Sequence, residues 1–136
     1  TVPSRSVRKI FFQAEDGIRD MNNHLITEDD YYYEYMQMRA RQCVILKRIY
    51  ADIIRLTTTP EQGKALADFI RQTDDEFEEQ NNVETLLSEL EGLHHHYEQQ
   101  QLPVTRQEFE NRSMLYHILE DMKAFLDIKK DFITAR

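Results

Sequence analysis

The sequence predicts an all-α fold, an antiparallel bundle of four long helices plus one shorter helix between the third and the last. Three observations carry that expectation. Apolar residues make up 40% of the 136-residue chain and charged residues 31%, while only three Gly and three Pro are available for tight turns. Apolar positions recur at spacings of three and four, the period of a helix with one buried face. Helix-start signals stand between the successive periodic stretches. A chain of this length has material for one core, so residues 1–136 are expected to form a single domain.

The first helix is expected over residues 4–25, where Val7, Phe11, Ala14, Ile18, Met21 and Leu25 draw one stripe. Gly17 interrupts it at a cost of about 1 kcal/mol relative to Ala. Thr27 offers a cap for the second helix, and Glu28, Asp29 and Asp30 fill its first turn, where the positive end of the helix dipole favours acids. That helix is expected to run to about Thr58. Its apolar residues, from Tyr31, Tyr32, Tyr33, Tyr35, Met36 and Met38 through Val44, Ile45, Ile49, Ile53 and Leu56, are too many for a single face.

Thr59-Pro60-Glu61-Gln62 reads as the third helix start, with Pro at the first helical position and Thr–Gln at capping-box spacing. Leu66, Phe69, Ile70, Thr73 and Phe77 form its stripe, and the phase breaks at Asn81-Asn82. Asn82 can cap a fourth helix carrying Val83, Leu86, Leu87, Leu90, Leu93 and Tyr97, which ends near Gln101 because Pro103 disfavours helical geometry at Leu102. In the last helix Thr105 and Glu108 have capping-box spacing, and Val104 and Phe109 have that of a hydrophobic staple. Leu115, Ile118, Met122, Phe125 and Phe132 continue it, with Lys129, Lys130 and Arg136 placed to complement the dipole.

Composition excludes several function classes. A net charge of −8 argues against a nucleic-acid partner, which needs clustered Lys and Arg to neutralise phosphates. The lone Cys43 allows no intrachain disulfide and sits in an apolar run, as a small buried hydrophobe does. No stretch approaches the roughly 20 apolar residues of a membrane span, so the chain as given is expected to be soluble. Arg5, Arg8 and Lys9 all precede the first acid, Glu15, which makes the start locally basic.

Catalytic chemistry finds little support. Carboxylate-bridged metal enzymes pair Glu-x-x-His motifs from two helices, and Glu91-Gly-Leu-His94 has no second copy, since Met114 stands three before His117 and Met21 three before His24. His94, His95 and His96 project about 100° apart and cannot converge on one ion, which makes them a solvated face with adventitious metal affinity. No phosphate loop and no nucleophile elbow is present. No enzyme activity, cofactor or metal is therefore expected, and a carboxylate-bridged metal enzyme ranks last of three readings.

Two groups remain as candidate structural or contact sites. Tyr31 and Tyr33 belong to a run of three successive Tyr that cannot all point inward, so part of it is exposed or meets a partner. Glu108, Phe109, Glu110, Asn111 and Arg112 crowd the start of the last helix; Asn111 falls on its core stripe and Arg112 beside it. Both belong either to a polar network at the end of the bundle or to a solvated end.

Leu102-Pro-Val-Thr-Arg-Gln-Glu-Phe-Glu-Asn-Arg-Ser-Met-Leu-Tyr-His-Ile-Leu119 resembles the C-terminal domain of the bacterial putative aromatic acid exporter family, whose pattern there is close to Leu-Pro-x-Thr-Arg-x-Glu-Phe-Glu-Asn-Arg followed by a small residue. Ile18-Arg-Asp-Met-Asn-Asn-His-Leu25 is similar to its early helix. The likeness spans nearly the whole chain, with Ser113 standing where Ala is expected. It implies a helical domain facing the cytoplasm of a bacterial membrane protein, and a partner in the membrane-embedded half of the same polypeptide, absent here. A homo-oligomer is a further possible partner. Basic Arg5, Arg8 and Lys9 would then follow the final span, as cytoplasmic flanks do. The function expected is a non-catalytic accessory, assembly or regulatory role in a transporter; the alternative is a stand-alone helical adaptor that binds a partner protein. No catalytic or substrate residues carry over from the family.

Overall fold

A computed structural model describes residues 5–12, 14–15, 30–57, 60–76 and 83–135. Residues 5–12 and 14–15 are helical and are termed α1. They are followed by α2 (Asp30–Ile53), α3 (Pro60–Glu76), α4 (Val83–Glu98) and α5 (Arg106–Thr134). No strand occurs among the described residues, and the chain is all-α. The expected caps at Thr27, Thr59 and Asn82, the phase break at Asn81-Asn82, and the stripe positions Ile18, Met21, Leu25 and Phe77 lie outside the described residues, as do Gly17 and Arg136.

Contacts along α2 ascend as those along α5 descend: Tyr35 meets Phe132, Gln42 meets Phe125, Arg48 meets Asp121, Asp52 meets His117 and Thr57 meets Asn111. The two helices are thus antiparallel along their whole length. Glu84 with Lys130, His94 with Tyr116 and Tyr97 with Arg112 give α4 and α5 the same relation. In α1, Val7 shares a recess with Tyr50, and Phe11 lies 5.5 Å below the Lys47 ammonium. So α1 is antiparallel to α2, and residues towards its start lie level with the end of α2.

One apolar cluster draws on all five helices, from Val7 and Ile10 through Leu46, Ile49, Ile70, Leu90 and Tyr97 to Ile118, Met122, Phe125 and Leu126. Burying each such side chain contributes about 1.5–3 kcal/mol, which is why the periodic positions decide the packing. Ile10, absent from the expected stripe, is buried beside Val7 and Ala14, while Phe11 is only half-buried. The helix turns its Val7–Ile10–Ala14 edge inward.

Two boundaries and two side chains differ from expectation. The helix α2 ends at Ile53 instead of Thr58: Arg55 and Leu56 donate to carbonyls three residues back, tightening the turn, and the Thr57 N–H is taken by Asn111. The helix α4 stops at Glu98, three residues early, with Gln100 likewise bonded to Tyr97. The helix α2 carries its excess apolar residues outward, leaving Tyr33 and Val44 exposed. Lys129, expected near the dipole, is instead a buried core-edge residue, and Lys130 pairs with Glu84 at 3.2 Å.

Candidate functional site

The polar side chains that sequence periodicity cannot place collect along the α2–α5 seam and at the end of the bundle where α2 stops and α5 starts. At that end the capping box forms. The Glu108 N–H donates to Thr105 Oγ1 at 3.1 Å, and Glu108 Oε2 accepts from the Val104 and Thr105 N–H groups at 2.8 and 3.4 Å. The predicted staple does not: Val104 is 88% exposed and Phe109 62%. The box alone sets the entry angle of the chain, and both apolar side chains face outward.

Asn111 Oδ1 accepts from both the N–H and the hydroxyl of Thr57, at 3.3 and 3.2 Å, and Gln107 Nε2 donates to Thr57 Oγ1 at 2.8 Å. Arg112 reaches the other way, donating to the Tyr97 and Gln101 carbonyls at 3.5 and 3.1 Å. Those carbonyls belong to the last turn of α4 and the chain leaving it, which a cation at a helix C-terminus complements. Asn111 and Arg112 therefore fasten the ends of α2 and α4 to the start of α5. Glu110 pairs with Arg106, at 3.1 Å on the surface.

Further down the seam, fully buried Gln42 accepts from Arg39 and donates to the Phe125 carbonyl. Beyond it Tyr31 and Tyr35 lean on Phe132, with ring centres 5.5 and 5.8 Å away. Tyr31 keeps 38% of its surface and Tyr33 keeps 63%. The structure thus separates the two tyrosines, seating the first on α5 and leaving the second outward.

A third grouping was missed. Asp52, in the last turn of α2, and His117 and Asp121, one turn apart on α5, bring donor atoms within 4.8 Å of one another. His117 Nδ1 lies 3.1 Å from Asp52 Oδ2, and this hydrogen bond, with nearby carboxylates, raises the imidazole pKa above its usual value. Arg48 donates to Asp121 Oδ1 at 2.8 Å, while Asp121 Oδ2 is buried without a hydrogen-bond partner among the described residues. The available signal was the His117–Asp121 spacing of four; the third member stands 65 residues away in the chain.

Glu91 and His94 line a groove of about 570 Å³ between α4 and α5, but His94 Nδ1 is engaged by Glu98 at 2.8 Å. His95 and His96 pair separately with Gln99 and Gln100. The three imidazoles diverge.

Fold and site together define an all-α domain whose polar residues fasten helix to helix, with no helix among those described long and apolar enough to cross a membrane. Residues 8–130 match the family described as "Putative aromatic acid exporter C-terminal domain", and the chain belongs to that family. It is 33% identical over 114 residues to "Uncharacterized protein YqjA" of Bacillus subtilis (strain 168), a match covering 84% of this chain and 35% of that protein. The chain therefore spans about a third of the curated relative. It is also similar to the crystal structure of a "putative membrane protein from Clostridium difficile 630", with a TM-score of 0.73 and 27% identity over 98% of this chain and 95% of that one. The family description names an exporter, and the solved relative is described as a membrane protein.

Proposed function

We propose that this domain is the cytosolic, non-catalytic accessory domain of an exporter-type membrane protein, and that it rests on the membrane surface through the α2–α3 and α4–α5 end of the bundle. One observation carries the orientation. Leu102, Val104 and Phe109 are 85%, 88% and 62% exposed at that end, and Ile54, at 60%, lies in the turn that leaves α2. Exposed large apolar residues gathered at one end mark a contact surface.

Two further features support it. Because α1 is antiparallel to α2, a polypeptide leading into α1 approaches from this same end. In a family described as a C-terminal domain, that polypeptide is the remainder of the protein. Arg5 and Arg8 are exposed near it. Exposed basic charge towards anionic head groups suits a membrane surface, at about 1 kcal/mol per basic residue.

Flotation with vesicles of phosphatidylglycerol and phosphatidylcholine tests the surface. The chain is expected to float with them, and a Leu102→Ser, Val104→Ser, Phe109→Ser variant to remain at the bottom. Equal flotation of the two, or none by the wild type, would remove this surface. The sidedness has its own test: a Tyr33→Cys substitution in the full-length protein should react with an impermeant maleimide only after cells are opened, since native Cys43 is buried.

A further inference from the structure

We propose that Asp52, His117 and Asp121 form a binding site for a divalent first-row transition metal that pins the end of α2 to α5. The three donors lie within 4.8 Å of one another. One imidazole and two carboxylates, with no thiolate, form a donor set for a borderline ion such as Zn²⁺, and three protein ligands leave a position for water. Zinc bonds of about 2.0–2.2 Å place such donors close together around one ion.

Acidic clusters are common on an acidic protein, so the buried member is decisive. The Asp121 side chain is 9% exposed, and its Oδ2 has no hydrogen-bond partner among the described residues, although buried polar atoms are nearly always satisfied. Arg48 engages only Oδ1, and the Arg48 side chain is itself 54% exposed, able to swing into solvent when an ion arrives. Asp52 is 19% exposed and His117 63%, so two of the three ligands reach solvent.

The site acts as a clasp. A metal bound by residues of two helices exists only when they are docked, so binding stabilises the folded chain in proportion to occupancy. This clasp lies within about three turns of the Thr57–Asn111 tie, at the end of the bundle assigned above to the membrane surface. It does not depend on that assignment, because metal binding is measured on the chain alone.

The test uses tag-free protein stripped with EDTA and titrated with ZnCl₂ by calorimetry, alongside thermal unfolding followed by circular dichroism. His94, His95 and His96 are the obvious competing ligands, so a His94→Ala, His95→Ala, His96→Ala variant serves as the background. In that background one equivalent of Zn²⁺ is expected to bind and raise the Tm. Both effects should be lost in Asp121→Asn, which retains an acceptor for Arg48, and in His117→Ala, where surface exposure keeps the fold intact. Binding that disappears with the triplet, or that survives both Asp121→Asn and His117→Ala, would overturn the site, as would the absence of binding by the wild type.

Discussion

Gln42 Nε2 donates to the Phe125 carbonyl across the α2–α5 interface at 3.2 Å, and its Oε1 accepts from Arg39 at 3.1 Å. The amide is fully buried, so both of its ends are spoken for inside the core. Gln42→Ala should lose about 2–3 kcal/mol, combining a cavity with a buried guanidinium deprived of a partner. Urea unfolding measures it, and a loss within error of zero would mean that the amide plays no structural part.

Thr105 caps α5 with a reciprocal box. Thr105→Ala is expected to cost about 1 kcal/mol, with Thr105→Ser close to wild type. Thermal unfolding of the pair checks the cap separately from side-chain volume.

Gly92 lies on the exposed side of α4, and a Cβ there would meet no atom within 4 Å. Gly92→Ala should therefore stabilise the chain by about 0.5–1 kcal/mol through helix propensity and the unfolded state. A fall in Tm would show that the site needs glycine for a contact.

Burial, reinforced by the nearby Glu15 carboxylate, raises the Cys43 thiol above its usual pKa. The thiolate is the nucleophile, so a raised pKa lowers its fraction at pH 8 and moves the rise in reactivity to higher pH. Alkylation by iodoacetamide should be slower in the folded chain than in urea, with the difference shrinking as pH increases. Equal rates at pH 8 would contradict the burial.

Tyr31 and Tyr33 should behave differently. Tyr31→Ser removes ring contacts with Phe132 and Tyr35 and should cost about 1 kcal/mol. Tyr33→Ser should stay within about 0.5 kcal/mol of wild type, as exposed substitutions do. If Tyr33 serves a contact between copies, its loss changes sedimentation without changing stability; unchanged sedimentation removes it as such a contact.

Helix class, the inward stripes of α3, α4 and α5, and the Thr105 box were legible in the chain itself, because helical period and capping act over three or four residues. Glu108 was readable on that basis, whereas the outward turn of Phe109 was not. Asn111 and Arg112 were recognisable as polar residues at a core edge, but their partners lie on other elements, Thr57 54 residues away and the end of α4 11 and 15 residues away. The same holds for Gln42 with Phe125 and for Asp52 with His117 and Asp121. Local spacing determines which face of a helix is apolar; which polar groups meet across two such faces depends on the register of one helix against another. That register is decided only when the whole core packs.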